Sequence, residues 1–577
     1  MLIDGELQST LRPAPGVGEV EPYAPPRPQA RIDLKLDGNE GFLPDGSLFD
    51  RLAEQGPELL QRYPAVRPLE LLIAEQEGVE SSRVLVTAGA DEALDRICRA
   101  VLAPGRQVLF PTPTFEMIPR YTRLAGAQVV SVPWHSGPLP VGEMIANVCG
   151  STAAIVVVSP NNPTGAVATA SDLAMLADAA PQALVIVDLA YGDFADHDLT
   201  ASALALPNAI VVRSLSKSWG LAGLRVGYAI GPARMIRWLR ACGSPYSVSA
   251  PSITLAVDWL RRGRPRMLDY VERVRHERME LVGVLNGLGA SALPSQANFV
   301  LARFPAAGWV WQSLVSLGIL VRRFPNTPDL GDALRITCPG DAPAFNRLTA
   351  ALGTVLAPQS ILFDLDGVVA DVSGSYRRAI VDTCLAFGAN VTAGEIAIAK
   401  ARGDANNDWL LTQRLLRDHA KEVSLDAVTE CFETLYQGTP EAPGLRRHER
   451  LIPNRAWLDT LSRRFLLAVV TGRPRMDAER FLREHNIRHV FSSVVCMEDG
   501  PAKPDPAPVR IALRRLGVDR AWLIGDTPDD VVAARSAGVV PIGIRAPGDG
   551  DVSSQALIDS GAACVLNRLE ELERLMP

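Results

Sequence analysis

No uncharged apolar run in the 577-residue sequence reaches the roughly 18 residues that a membrane-spanning helix needs. The eight cysteines, Cys98, Cys149, Cys242, Cys338, Cys384, Cys431, Cys496 and Cys564, are scattered without a CxxC pair. That argues against a disulfide framework or a zinc site and for reduced, mostly buried thiols. Basic residues are not in surplus: 58 Lys and Arg face 65 Asp and Glu, for a net charge of -7 and a pI near 5.7. Nucleic acid and anionic membrane are therefore not expected as partners. An anionic small molecule would have to be held by locally placed Arg, Lys or backbone N–H groups. The opening "MLIDGELQST" has no basic segment leading into an apolar one, so no secretory signal is read there and a cytoplasmic location is expected. There is no internal repeat. The sole biased tract is the Pro- and Gly-rich "RPAPGVGEVEPYAPPRPQA", part of an extended arm expected over residues 1–30.

With 47% hydrophobic and 21% charged residues, the composition is that of a globular protein with several cores. From Val84 onward, the apolar runs "VLVTA", "QVLFP", "AQVVSV", "AIVVVSP", "ALVIVD" and "AIVVRSL" alternate with helical patterns. Such runs predict parallel strands buried on both faces, an α/β sheet whose site lies at the strands' carboxyl ends. Polar residues Ser159–Asn162, Asp188–Tyr191 and Ser214–Lys217 directly follow three of these runs. A smaller mixed region is expected over residues 235–357, with "NFVLARF", "GILVRRF" and "LRITCPG". The sequence then passes with almost no spacer into "ILFDLDG". A second strand series follows, "FLLAVVTG", "SSVVCM", "AWLIGD" and "VVPIGIRA", interrupted by a charged helical insert over residues 373–453. The expected division is 31–357 and 358–577.

"VVRSLSKSWGLAGLRVGYAIG" places Ser214, Ser216, Lys217 and Arg225 within twelve residues, with "SPNNPTG", "VDLAY" and "TAGADEA" upstream. These are the parts that hold pyridoxal phosphate: an amine for its aldehyde, a carboxylate for its pyridine nitrogen, and hydroxyls, an arginine and a helix N-terminus for its phosphate. With "PYAP" (Pro22–Pro25), "LDGNEG" (Leu36–Gly41) and "RYP" (Arg62–Pro64), residues 20–355 resemble fold-type I aminotransferases of the histidinol-phosphate aminotransferase group. The resemblance implies Lys217 as the Schiff-base lysine and proton-transfer group, and Asp188 at the pyridine nitrogen. Tyr191 and Asn162 would lie at the ring oxygen and Phe115 stacked on the ring. Ser214, Ser216, Arg225 and the N–H groups of Ala90 and Asp91 would carry the cofactor phosphate. It further implies that Tyr63 reaches a neighbouring subunit's cofactor phosphate in a homodimer. Arg335 would clamp the α-carboxylate of glutamate, and Asn39, Tyr23 and Arg322 would contact the substrate. Arg323, beside Arg322, leaves the register of that strand open. One departure stands out: the family usually has an acidic residue where this sequence has Leu189.

In "FDLDG", strand periodicity puts Asp364 and Asp366 on one side of a strand's carboxyl end. Such a pair suits a nucleophile beside a general acid/base and attracts Mg²⁺. "VVTGRP" adds the hydroxyl of Thr471, "AKPDP" the charge of Lys503, and "LIGDTPDDVVAARSAG" the carboxylates Asp526 and Asp530. Residues 360–577 resemble haloacid-dehalogenase-like hydrolases of the phosphatase branch. That implies Asp364 as nucleophile, Asp366 as acid/base, Thr471 and Lys503 on the phosphate, and the insert as a helical cap. Mg²⁺ would bind Asp364, the backbone carbonyl of Asp366 and Asp526, with Asp530 nearby. Together the two resemblances imply consecutive steps: transamination of imidazole acetol phosphate by glutamate, giving 2-oxoglutarate, then hydrolysis of histidinol phosphate. The alternatives are the same chemistries on another phosphorylated amino alcohol or amino sugar, or decarboxylation of a phosphorylated amino acid.

Overall fold

The computed structural model describes residues 12–14, 16–18, 20–23, 28, 30–403 and 406–576. Most of the arm expected over residues 1–30 lies outside the described residues. Two compact units are formed. One is built mainly from Leu36–Arg303 and Arg322–Phe345, the other mainly from Phe304–Val321 and Asn346–Pro577.

The first unit carries a seven-stranded sheet in the order Val84–Thr87, Gly227–Ile230, Ala209–Ser214, Leu184–Asp188, Thr152–Val158, Gln107–Thr112, Gln128–Pro133. All neighbours are parallel except Gly227–Ile230, which runs antiparallel to both of its partners. The six runs read from the sequence are all strands, and Gly227–Ile230 is a seventh. The side chains of the central strands alternate between two clusters. Val185, Val187 and Val211 go to one with Leu173 and Leu176; Ile186, Ile210 and Val212 go to the other with Leu94 and Ile97. Burial on both faces is why these strands read as unbroken Val and Ile. Leu189 belongs to the first cluster, so the family departure at that position is a packing matter. In the same unit, Phe299–Arg303 pairs antiparallel with Ala333–Thr337, and Arg322 stands opposite Arg335 in a further antiparallel pairing.

The second unit carries a six-stranded parallel sheet in the order Phe491–Val495, Leu466–Val470, Ser360–Phe363, Ala521–Gly525, Val540–Ile544, Cys564–Leu566. Cys564–Leu566 was not legible in the sequence. The chain steps outward in one direction from Ser360–Phe363 and later returns to its other side. Its carboxyl end is thus the crevice where such sheets bind ligands. The helical insert leaves and re-enters through a two-stranded stalk, Ala370–Asp371 paired antiparallel with Arg450–Leu451. Between them lie helices Tyr376–Ala386, Ala393–Ala401, Asp408–Asp418 and Leu425–Gln437. Trp522 anchors the sheet to the preceding helical segment. Its indole Nε1 donates to the Thr354 carbonyl at 2.9 Å, and its ring meets Trp309 edge-on at 5.2 Å.

Candidate active sites

At the carboxyl ends of the first unit's central strands lies a cavity of about 540 Å³. Its walls include Ala90, Asp91, Phe115, Asn162, Asp188, Tyr191, Ser214, Ser216, Lys217 and Arg225, together with Tyr23, Arg322 and Arg335. Residues scattered over more than 300 positions of sequence therefore converge on one hollow. Lys217 follows the strand Ala209–Ser214, and its Nζ donates to the Gly38 carbonyl at 2.9 Å. Backbone crowding fixes that turn: a Cβ on Gly41 would strike the Lys217 carbonyl oxygen. Asp188 ends the strand Leu184–Asp188. Burial raises its carboxyl to about 6, opposed by the N–H of Ala190, which donates to Oδ1 at 3.0 Å. Tyr191 lies edge-on to Phe299, and its hydroxyl accepts from Asn39 Nδ2 at 2.9 Å. Asn39 has a left-handed backbone (φ 52°) and its Oδ1 accepts from Thr337 Oγ1 at 2.8 Å. It therefore braces Tyr191, and it is not among the cavity's lining residues.

The floor of the cavity suits a phosphate. Helix Gly89–Val101 begins there and presents the N–H groups of its first turn, where an anion is favoured. Arg225 spans that turn and the Ser216 loop, with Nη2 3.0 Å from Asp91 and Nη1 3.5 Å from the Ser216 hydroxyl. Glycine is required beneath it, because a Cβ on Gly89 (φ 81°) would stand 2.6 Å from Arg225 Nη2. These donors and the deep carboxylate at Asp188 fit pyridoxal phosphate.

At the other end, Arg335 is stacked on Phe299 and held by Asn162 Oδ1 and the Asp37 carbonyl, both at 2.6 Å. Its Nε is buried with no hydrogen-bond partner among the described residues. Arg322, on the paired strand directly opposite, sits over Tyr23 (5.8 Å) and pairs with Glu116 at 2.9 Å. Arg323 does not line the cavity, which settles the register that the sequence left open. Two like charges facing one another across a strand pair repel, so this end of the cavity is suited to an anion. Sequence reasoning missed Glu116, whose relevance appears only when Arg322, 206 positions away, packs against it. Tyr63 lies elsewhere, 79% exposed and stacked on Tyr246 at 4.5 Å.

The second unit gathers Asp364, Thr471, Lys503, Asp526 and Asp530 at its sheet's crevice, all buried. Carboxylate oxygens of Asp364, Asp526 and Asp530 all lie within 4.8 Å of one another. Lys503 Nζ bridges Asp364 and Asp530, 2.5 Å from each, and also donates to the Val470 carbonyl at 3.0 Å. Asp530 also shapes the local backbone, since its Oδ2 accepts from the N–H and hydroxyl of Thr527 and so caps helix Pro528–Ser536. Burial pushes the Asp364 and Asp526 carboxyls upward, partly offset at Asp364 by the Lys503 ammonium. Three clustered carboxylates with more negative charge than one ammonium can match fit a hard divalent cation such as Mg²⁺. Asp366, by contrast, turns its carboxylate to Arg473, at 2.7 Å from Nε. From the insert, Arg377 pairs with Asp549 and lies 4.0 Å from Asp526. His489 pairs with Asp459 at 3.0 Å.

Two family models match successive parts of the chain. The model of class I and II aminotransferases matches residues 67–352, and that of haloacid dehalogenase-like hydrolases matches residues 361–544. A histidinol-phosphate aminotransferase of Jannaschia sp. is 33% identical over 369 residues, covering 61% of this chain and 100% of the relative. An imidazoleglycerol-phosphate dehydratase of Phytophthora nicotianae is 42% identical over 222 residues, and there the match spans 37% of this chain and only 48% of the relative. Among solved structures, a histidinol-phosphate aminotransferase of Sinorhizobium meliloti in complex with pyridoxal-5'-phosphate superposes with a TM-score of 0.54 at 22% identity, over 60% of this chain and 97% of that one. That likeness establishes the fold. Among the described residues no helix is long and apolar enough to cross a membrane, and all eight cysteines are free. The chain belongs to the class I and II aminotransferases, with the pyridoxal-phosphate-dependent fold of that family, and continues into a haloacid dehalogenase-like hydrolase domain.

Proposed function

We propose that residues 31–357 transfer an amino group between glutamate and imidazole acetol phosphate, and that residues 358–577 hydrolyse the resulting histidinol phosphate. The observation that carries this reading is the pair of opposed arginines, Arg322 and Arg335, in the wall of the Lys217 cavity. Glutamate, which brings a carboxylate, and a phosphorylated keto compound, which brings a phosphate, would use them in turn. The names of two relatives support the substrate, since both refer to phosphorylated compounds, histidinol phosphate and imidazoleglycerol phosphate.

When bound, pyridoxal phosphate supplies an electron sink that acidifies the substrate's α C–H bond. In this reading Lys217 Nζ would anchor the cofactor and, once freed, take the proton from the substrate's α carbon. The buried Asp188 carboxylate keeps the pyridine nitrogen protonated, while Tyr191 and Asn162 hydrogen-bond the ring oxygen and Phe115 covers the ring. Ser214, Ser216, Arg225 and the amides of Ala90 and Asp91 hold the cofactor phosphate. Arg335 binds the α-carboxylate bidentately, as a planar guanidinium can. Arg322, with Tyr23 beside it, takes the substrate phosphate in place of Glu116. Tyr63, exposed here, fits a role at a partner subunit's site in a homodimer.

In the second unit, Asp364, Asp526 and the backbone carbonyl of Asp366, with Asp530 nearby, would hold Mg²⁺, which when bound would screen the phosphate's charge. Asp364 attacks phosphorus in line, and Asp366 protonates the departing alkoxide oxygen. The acyl phosphate on Asp364 is then cleaved by water, whose proton Asp366 accepts. Thr471 and Lys503 steady the phosphoryl oxygens. The test is phosphate release from L-histidinol phosphate by the full chain with Mg²⁺, beside an Asp364→Asn control, and 2-oxoglutarate formation from glutamate and imidazole acetol phosphate. Release abolished by the control supports the reading. Release from generic esters alone would remove histidinol phosphate as the substrate.

A further inference from the structure

One buried charge in the hydrolase unit has no part in the scheme above. Arg473, two residues beyond Thr471, has a side chain only 1% exposed. Its guanidinium lies between two carboxylates. On one side Nε donates to Asp366 Oδ1 at 2.7 Å, with Nη2 2.5 Å from the same oxygen. On the other, Nη1 donates to Glu449 Oε2 at 3.0 Å. The rings of Tyr376 and Phe481 lie against its central carbon at 4.7 and 5.5 Å. Its backbone is fixed as well, since the Arg473 N–H donates to Thr471 Oγ1 at 3.2 Å.

Glu449 is held just as firmly. It immediately precedes the stalk strand Arg450–Leu451, and its Oε1 accepts from the Ser375 and Tyr436 hydroxyls, both at 3.1 Å. Asp366 is thus connected through one arginine to the point where the helical insert returns to the sheet. A guanidinium confined by two aromatic faces and a fixed carboxylate has one orientation available, and it restricts the rotation of the carboxylate that it holds. Burying such a group is costly unless it is paired, so a structural ornament would be cheaper as an apolar side chain.

We propose that Arg473 is a positioning residue for Asp366, aimed in turn by Glu449. It fixes one carboxylate oxygen and leaves the other to give and take the proton. The proposal rests on the reading of Asp366 as the acid/base of phosphoryl hydrolysis. It separates Arg473 from the substrate-binding groups: its loss should slow chemistry and leave binding alone.

The experiment compares wild type with Arg473→Met, Arg473→Lys and Glu449→Gln in the full chain with Mg²⁺, on L-histidinol phosphate and p-nitrophenyl phosphate. For Arg473→Met, kcat on the alkyl ester should fall ~10²-fold, the scale of general acid–base catalysis, with KM changed by less than about threefold. The first nitrophenolate released in a single turnover needs no proton from Asp366, so its rate should stay within about threefold of wild type. Arg473→Lys should restore part of kcat, and Glu449→Gln, which keeps the side chain's shape, should fall between. Equal losses in alkyl ester turnover and single-turnover nitrophenolate release, or a rise in KM at unchanged kcat, would overturn the proposal. An Asp364→Asn enzyme run in parallel separates the failures. Turnover surviving there overturns the nucleophile assignment and this proposal with it. An inert Asp364→Asn beside an Arg473→Met of wild-type kcat overturns the positioning role alone.

Discussion

The buried carboxylate of Asp188 should make the cofactor-free protein less stable as pH rises. Its carboxyl is raised from 3.8 to about 6, chiefly by burial. Below the lower value it is protonated whether folded or unfolded and contributes no penalty. As pH rises through the interval, the unfolded chain ionises first, so stability is lost progressively until the folded group has ionised too. At about 1.4 kcal/mol for each pH unit, the interval amounts to ~3 kcal/mol, fully developed by pH 8 and about half developed at pH 5. Asp188→Asn removes the titration while keeping the shape. In cofactor-free protein the variant should therefore be stabilised by ~3 kcal/mol at pH 8, raising the melting temperature of that unit by roughly 5–10 °C, and by about half as much at pH 5. Scanning calorimetry at the two pH values measures this directly. With pyridoxal phosphate added, the order should reverse, because the variant lacks the charge that favours a protonated pyridine. A variant that melts with wild type at pH 8, or gains equally at both pH values, would refute the reasoning.

Removing one member of a buried ion group leaves the others uncompensated, so Lys503→Met should destabilise the hydrolase unit by ~3–5 kcal/mol in Mg²⁺-free buffer. Unchanged melting there would contradict the bridge between Asp364 and Asp530. Trp522→Ala should lower the stability of the same unit by ~3–5 kcal/mol. Trp522→Phe, which keeps much of the packing but loses the bond to Thr354, should cost about 1 kcal/mol for that hydrogen bond, beyond any change in packing; denaturant titrations that fail to separate the two would count against that anchor. Arg335→Lys should raise KM for the amino donor about 10- to 100-fold, the worth of a charge-assisted pair, with a smaller change in kcat. Initial rates across glutamate concentrations decide it, and an unchanged KM would place the carboxylate elsewhere.

The groups that the sequence made legible are those whose chemistry and backbone position are both local. Asp188, Asp364 and Asp526 each follow directly on a run of buried apolar residues, and Lys217 stands three residues beyond the end of another. A run buried on both faces must be a central strand, and the end of such a strand is where parallel sheets present their ligands. The short strands Gly227–Ile230 and Cys564–Leu566 escaped notice because a few residues between turns carry too little periodicity. The partnerships that give the sites their character are not local. Asn39 braces Tyr191 across 152 positions, and Glu116 meets Arg322 across 206. Arg473, read from the sequence as no more than the residue after Thr471 and Gly472, reaches Asp366 across 107. The sequence by itself determined the two chemistries, because each needs particular functional groups at strand ends. Only the tertiary structure decided which charges face one another in the dry interior, where a buried group must find its partner wherever the fold has put it.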